Sequence, residues 1–372
     1  MKIVAADNVT YAREVFGTLG SVEIVPVREI TAARVAGADM LIVRSTNRVD
    51  EALLAGGSVR FVGSAVIGTD HMDLAWLKRQ GIQWAGAAGC NANSVSEWLT
   101  AALLELACRD GYELAGRSIG VIGVGNVGTR VAAKCRALGM RVVQNDPPLQ
   151  RRTGEAGFRP IEEVKQCDFI TLHTPLTRAG EDATWHLVDA RWLAGVKPGA
   201  VLVNAGRGPV VDERAMLDAL RSGRLSALVL DVYEGEPDVR PEPVQAARVA
   251  TPHIAGHSFD GKAAGTAMVY EAACRFLGRE PAIDVRALMP APPVPELTVN
   301  GQGAVQEVLR RTVRCVYDIM EDDARFRGDV TQFSALRRNY PVRREFQNTG
   351  LRFEGAADEV RAALLALGFP AA

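Results

Sequence analysis

Three side chains suited to moving a proton and a hydride stand in order along the second half of the chain. Arg207 lies in Asn204-Ala205-Gly206-Arg207-Gly208, and Glu236 in Asp231-Val232-Tyr233-Glu234-Gly235-Glu236-Pro237. His253 lies in Thr251-Pro252-His253-Ile254-Ala255-Gly256. A histidine can take a hydroxyl proton as hydride leaves the carbon. A glutamate beside it fixes the tautomer and stabilises the imidazolium. An arginine can hold a carboxylate in a two-pronged contact and polarise a forming carbonyl. Taken singly, each residue has an ordinary reading: a loop cation, a turn residue, a satisfied histidine. Their placement after three apolar runs puts all of them where open α/β sheets bind ligands, at the carboxyl ends of strands.

Those runs follow a glycine signature. The apolar stretch Ser118 to Ile122 reads as a strand and is followed by Gly123, Gly125 and Gly128 at G-x-G-x-x-G spacing, with Asn126 and Val127 between. A helix follows from Thr129 to Leu138, and Gly139 can cap it. The first glycine makes a tight turn, the second lets backbone approach a pyrophosphate, and the third lets helix and strand pack closely. The next strand, Met140 to Gln144, leads to Asp146, whose carboxylate stands where an acid accepts ribose hydroxyls. That charge would repel a 2′-phosphate, so the cofactor expected is NAD rather than NADP, although Arg151 and Arg152 lie close in sequence.

The elements before this loop alternate. Strands are expected at Lys2 to Ala6, Val22 to Pro26, Met40 to Val43 and Val59 to Val66. Helices are expected at Tyr11 to Leu19, Ala32 to Val35 and Leu74 to Gln80, which implies a parallel sheet wrapped by helices. Asn91 to Asp110 reads as one long connecting helix with Asn91, Asn93 or Ser94 as its cap. Further strands are expected at Phe169 to His173, Val201 to Asn204 and Leu228 to Asp231, and one approaching Thr251, with a helix from Glu213 to Ser222. A second helix, Gly261 to Leu277, returns to the first sheet. Pro290, Pro292, Pro293 and Pro295 mark a linker, after which Val305 to Glu321, Phe333 to Arg338 and Asp358 to Leu367 read as helices.

The reading is therefore an α/β protein of three parts: a flavodoxin-like substrate-binding domain (1–92 and 257–288), a Rossmann-type dinucleotide domain (93–256) and a small α+β C-terminal domain (289–372). The active site is expected in the cleft between the first two. The third is expected to dimerise, since Val305, Val308, Leu309, Val313, Val316 and Ile319 recur at helical spacing. The same residues can instead fill that domain's own core. Arg337, Arg338, Arg343 and Arg344 form a basic cluster there, either solvated or facing acidic groups of a partner chain.

A chain of 372 residues with 48% hydrophobic residues can form large cores. A net charge of -1 argues against a nucleic-acid or membrane partner held by bulk charge. No apolar stretch has the length of a membrane span or of a signal peptide. The six cysteines are scattered without a C-x-x-C pair, as expected of thiols in a reducing cytoplasm. His71, His173, His186 and His257 show no metal spacing, so no metal is expected, and His71 and His186 read as structural.

The glycine loop, Asp146 and the three strand-end stretches resemble the D-isomer-specific 2-hydroxyacid dehydrogenases. Within them, Val43-Arg44-Ser45, Gly68-Thr69-Asp70-His71-Met72-Asp73, Gly89-Cys90-Asn91-Ala92, Asp146-Pro147-Pro148, Val316-Tyr317-Asp318 and Leu336-Arg337-Arg338-Asn339-Tyr340 resemble the members acting on a phosphorylated four-carbon acid. The resemblance implies NAD-dependent oxidation of 4-phospho-D-erythronate to 2-oxo-3-hydroxy-4-phosphobutanoate, a step toward pyridoxal phosphate, by a cytoplasmic homodimer. It implies Arg207 and Glu236 as active-site residues and His253 as proton donor. Asp146, Thr174, Asp231 and Gly256 would line the NAD site with the Ala205-Gly206-Arg207 backbone, and Ser45 would contact substrate. Two positions depart from the family: Val66 replaces a frequent threonine, and His257 a frequent tyrosine. A valine cannot hydrogen-bond through its side chain, whereas His257 can still donate to a phosphate. Arg44 and Arg48 near one strand end are further candidate cations for a phosphorylated substrate. The alternatives are another D-2-hydroxyacid dehydrogenase, such as one acting on phosphoglycerate, and an NAD-sensing binding protein related to corepressors.

Overall fold

A computed structural model describes all residues, Met1–Ala372. Apolar runs of four or five residues pair into two parallel sheets, each in a separate compact unit. One unit holds Met1–Asn91 and Ser258–Ala291, the other Ala92–His257 and Pro292–Ala372.

In the first unit the strands are β1 (Lys2–Ala6), β2 (Ser21–Val25), β3 (Met40–Val43), β4 (Phe61–Ser64) and β5 (Gln83–Gly86). They are all parallel, in the order β2-β1-β3-β4-β5. β3 and β4 are buried throughout, as continuous apolar runs in a covered sheet should be. β5 carries Gln83 and Trp84 exposed at the sheet edge and ends in Gly86, so its sequence has neither the apolar run nor the alternation that marks a strand. The long helix Phe259–Phe276 returns to cover this sheet. A Cβ on Gly63 would lie 2.2 Å from Val269 Cγ1, so only glycine lets that helix approach β4 this closely. Tyr270 meets Phe16 edge-on, with ring centroids 5.9 Å apart.

In the second unit the strands are β6 (Ser118–Ile122), β7 (Arg141–Asn145), β8 (Phe169–Leu172), β9 (Ala200–Asn204), β10 (Leu225–Leu230) and β11 (Val249–Ala250). They run parallel in the order β11-β10-β9-β8-β6-β7. The chain goes outward from β6 to β7 and then back across to β8. That reversal makes a topological switch point at the carboxyl end of β6, where the glycine loop sits. The helix Ala92–Asp110 is buried on nearly every side. It begins at Ala92, so Asn93 and Ser94 lie inside it rather than capping it. Both spend their side chains on tertiary contacts: Asn93 donates to Glu345 at 2.8 Å, and Ser94 serves the active-site turn described below.

The C-terminal residues Pro292–Ala372 fall within the second unit. They form a two-stranded parallel sheet, β12 (Glu296–Asn300) with β13 (Gly350–Glu354), and helices Val305–Val316, Ile319–Gly328, Phe333–Arg338 and Asp358–Ala366. The expected single helix from Val305 to Glu321 breaks at Tyr317, because the Asp318 carboxylate accepts the Met320 N–H at 3.0 Å and caps a new helix. Val308, Leu309, Val313 and Ile319 are at most 3% exposed and share one core with Trp98, Leu103 and Leu106 of the long helix. The apolar stripe expected to meet a second chain is thus spent within its own. An ion pair between Arg310 and Glu105, at 3.1 Å, closes the rim of that contact. Lys134 of the helix Asn126–Ala137 donates to the Leu367 carbonyl and ties the tail down from the other side.

Candidate active site

The glycine loop has the geometry its spacing predicts. Gly123 adopts φ +85°, and a Cβ there would come within 2.8 Å of the His173 carbonyl group. A Cβ on Gly128 would lie 2.0 Å from the Gly123 carbonyl oxygen, so the helix Asn126–Ala137 can start against the loop only with glycine. A Cβ on Gly125 would meet nothing within 4 Å, so there the backbone faces open space at a helix N-terminus. Asp146 accepts Val124 N–H through Oδ2 at 2.8 Å and Leu149 N–H through Oδ1 at 2.9 Å. Each oxygen keeps a second acceptor site for a ribose hydroxyl. Arg151 is paired with Asp182 and Glu181, and so is not held in wait for a 2′-phosphate. Beyond the end of β8 the Thr174 hydroxyl is buried with no partner in the chain. Together, the open backbone at Gly125, the carboxylate at Asp146 and the orphaned hydroxyl of Thr174 fit a dinucleotide. His173 beside it accepts or donates at 2.9 Å to Thr171, and burial pushes its imidazole down to about 4, so it is neutral at pH 7.

The turn after β11 is organised by one buried carboxylate. Asp231, 1% exposed, accepts the Thr251 hydroxyl at 2.6 Å and Ile254 N–H at 2.7 Å through Oδ1, and Ala255 N–H at 3.0 Å through Oδ2. Its carbonyl accepts His253 N–H at 2.7 Å. Trp98 Nε1 donates to the Thr251 hydroxyl at 3.0 Å, which fixes the direction of that hydroxyl's own proton. The turn so held carries His253 at φ +55°, a left-handed conformation costing a non-glycine residue about 1–2 kcal/mol. Burial pushes the Asp231 carboxyl up, against the pull of His253 and of its three donors. Within the chain the Asp231 side chain serves the turn, and Oδ2, with one donor, keeps a further acceptor site.

His253 Nδ1 and Glu236 Oε2 are 2.6 Å apart. Glu236 Oε1 accepts Tyr233 N–H at 2.9 Å, which aims the carboxylate. Two glutamates stand in this stretch, but Glu234 is committed to His186 at 2.7 Å, so Glu236 is the one that meets His253. With Nδ1 on the glutamate, His253 Nε2 is the ring nitrogen left to face a reacting hydroxyl. His186 is the structural histidine expected, and so is His71, 3.0 Å from the Ser64 hydroxyl.

Arg207 is brought to the same strand ends by a tight loop. Asn204 Nδ2 donates to the Arg207 carbonyl at 3.0 Å, and Asn204 Oδ1 accepts Gly206 N–H at 3.1 Å. A Cβ on Gly208 would lie 1.9 Å from the Tyr233 carbonyl oxygen, so this glycine seats the arginine loop directly on the segment that carries Glu236.

Two residues of the C-terminal basic cluster reach this site from the same chain. Arg337 Nε donates to the His253 carbonyl at 3.3 Å. Arg343, 6% exposed, donates to the Ala255 carbonyl at 2.6 Å and to Ser94, and its guanidinium lies 4.3 Å from the Tyr317 ring centroid. Ser94 donates to the same Ala255 carbonyl at 2.7 Å. Arg344 is 6% exposed too, so neither of these arginines is solvated or displayed to a partner. His257 stacks edge-on against Tyr340, with centroids 5.9 Å apart. Sequence reasoning missed the contacts of Arg337, Arg343 and Ser94 with the turn because they join residues more than 80 positions apart.

The other substrate candidates belong to the first unit. Arg44 and Ser45 follow the end of β3; Arg44 Nη1 donates to the Ala65 carbonyl at 3.3 Å, and Ser45 is exposed. The Val66 carbonyl accepts Ala87 N–H at 3.0 Å.

Burial pushes the Glu236 carboxyl up, but the charge and hydrogen bond of His253, the Tyr233 amide and the charge of Arg337 outweigh it and hold the group below its ordinary 4.5. A carboxyl lowered in the folded state contributes stability that is present above its unfolded value and is lost as pH falls through the folded one. Urea midpoints measured from pH 7 down to pH 3 should therefore fall more steeply for the wild type than for Glu236→Gln. Parallel curves would show that the pair adds nothing to folding.

The family model described as the NAD binding domain of D-isomer-specific 2-hydroxyacid dehydrogenases matches residues 92–255. A family described only as a domain of unknown function matches residues 288–368. The erythronate-4-phosphate dehydrogenase of Salmonella paratyphi B is 46% identical over 376 aligned positions, spanning 100% of this chain and 98% of that one. Among solved structures, a protein of Thermus thermophilus superposes with a TM-score of 0.63 at 29% identity, over 76% of this chain and 99% of that one. The D-lactate dehydrogenase of Aquifex aeolicus shares the fold, with a TM-score of 0.60 at 24% identity over 74% of this chain and 95% of that one. The chain belongs to the erythronate-4-phosphate dehydrogenases, within the D-isomer-specific 2-hydroxyacid dehydrogenase family.

Proposed function

We propose that the protein oxidises 4-phospho-D-erythronate to 2-oxo-3-hydroxy-4-phosphobutanoate with NAD, in the route to pyridoxal phosphate. The observation that carries this reading is the 2.6 Å pair of His253 and Glu236 at strand ends of a dinucleotide-binding sheet. When bound, NAD supplies the hydride acceptor. Gly123, Gly125, Asn126, Val127 and Gly128 would hold its pyrophosphate, Asp146 its ribose, and Thr174, Asp231 and Gly256 with the Ala205-Gly206-Arg207 backbone the remaining edge. Arg207 grips the substrate carboxylate and stabilises negative charge on the C2 oxygen. His253 Nε2 takes the C2 hydroxyl proton as hydride leaves C2. Glu236 keeps Nδ1 protonated before the step and stabilises the imidazolium after it. Arg44, Ser45 and His257 are assigned to the substrate.

Purified protein with NAD and a panel containing 4-phospho-D-erythronate, 3-phosphoglycerate and D-lactate should reduce NAD fastest with the first. His253→Ala should lower kcat by about 10²–10⁴-fold, the range of general acid–base catalysis. Turnover of none of these acids, or a His253→Ala variant as active as wild type, would defeat the reading.

The protein acts as a cytoplasmic homodimer joined through its C-terminal residues. No helix is long and apolar enough to cross a membrane. With Val308, Leu309 and Val313 buried internally, the support for a C-terminal interface is Val342 and Leu365, at 51% and 41% exposed two of the chain's few large apolar side chains in water. Light scattering should give twice the chain mass, and Val342→Glu with Leu365→Glu should shift it toward the monomer. A wild-type monomer would contradict the proposal.

A further inference from the structure

The His253 site holds more cationic hydrogen-bonding capacity than its own acids use. Arg337 lies on the short helix Phe333–Arg338, half-buried, with its guanidinium carbon 5.4 Å from the Phe333 ring centroid. Its Nε is spent on the His253 carbonyl, and its two terminal nitrogens make no hydrogen bond within the chain. The carboxylates whose charge it feels are already committed. Asp231 serves three donors of the turn, and Glu236 serves Tyr233 N–H and His253. Burial pushes the guanidinium down, Glu236 and Asp231 oppose this, and the nearby charge of Arg207 adds to the lowering. A guanidinium fixed at Nε presents its remaining N–H groups as a rigid fork suited to two oxygens of one anion.

We propose that Arg337 is a substrate-binding residue whose terminal nitrogens receive the phosphoryl group of the substrate beside His253. The inference rests on the function proposed above, in which Arg207 takes the carboxylate. The phosphoryl group is then the anion left without a fork. Because the same side chain donates to the His253 carbonyl, phosphoryl binding and the position of the catalytic imidazole share one residue. Arg337 also lies in the C-terminal segment, so that segment contributes to substrate choice and not only to folding.

The test compares wild type, Arg337→Met and Arg337→Lys with NAD on two acids, 4-phospho-D-erythronate and D-erythronate, alongside calorimetric titration of the NAD-loaded protein with inorganic phosphate. Loss of a charge-assisted contact should lower kcat/KM of Arg337→Met for the phosphorylated acid by about 10- to 100-fold, mainly through KM. Activity on D-erythronate should fall only by what the lost contact to the His253 carbonyl costs, so the preference for the phosphorylated acid should drop by about tenfold or more. Arg337→Lys should recover part of the loss, and inorganic phosphate should bind Arg337→Met about tenfold more weakly. An equal loss on both acids would overturn the proposal and leave Arg337 as a positioning residue for His253. No loss on either would remove it from the site. A wild type that oxidises neither acid defeats the function reading instead, and the phosphate titration then decides Arg337: equal binding by wild type and Arg337→Met overturns the proposal.

Discussion

The active site depends on the hydrogen bonds that converge on one buried carboxylate. Asp231 follows β10 with its side chain out of water, where an unpaired charge is strongly unfavourable. Three donors of the Thr251–Ala255 turn satisfy it, and all three come from the stretch that carries His253. Desolvation therefore forces the turn to close on Asp231. Closure places His253 in the left-handed region, a conformation that a free loop would leave. The imidazole then stands 2.6 Å from Glu236, which its own contact with the Tyr233 amide has already aimed. Pre-organisation of the base is thus a consequence of burying an acid beside it.

The outer side of the same turn is held by the C-terminal segment. Arg337 and Arg343 take the carbonyls of His253 and Ala255, while Ser94 and Trp98 reach the turn from the long helix. A carboxylate can satisfy the turn's N–H and O–H groups but not its carbonyls, and an arginine can satisfy its carbonyls but not its N–H groups. The two sets of contacts complete each other. The core that joins Val308, Leu309 and Val313 to the long helix gives those arginines a rigid base. This division explains why the C-terminal residues fold in one unit with the dinucleotide sheet.

Much of this was legible in the sequence. The glycine loop announced itself because close backbone approach admits only glycine, as the positions of Gly123 and Gly128 show. The trio Arg207, Glu236 and His253 was legible because each follows a continuous apolar run, and parallel strands end where ligands bind. The hold of Asp231 on the turn was not legible, since its donors lie 20 to 24 positions away across a crossover. The basic cluster from Arg337 to Arg344 was read from charge alone, which cannot distinguish a solvated arginine from one buried on carbonyls. β5 was missed because an exposed edge strand ending in glycine carries no hydrophobic period.

The central claim is that Asp231 acts on catalysis by holding the turn that carries His253. It is tested most directly by measuring NAD affinity and kcat together in Asp231→Asn. The substituted amide must set an N–H donor against one of the turn's own donors, leaving a buried group unsatisfied at about 1–3 kcal/mol. The account predicts that kcat falls by about tenfold or more, a larger loss than in NAD affinity. A variant that loses NAD affinity while keeping kcat would contradict it.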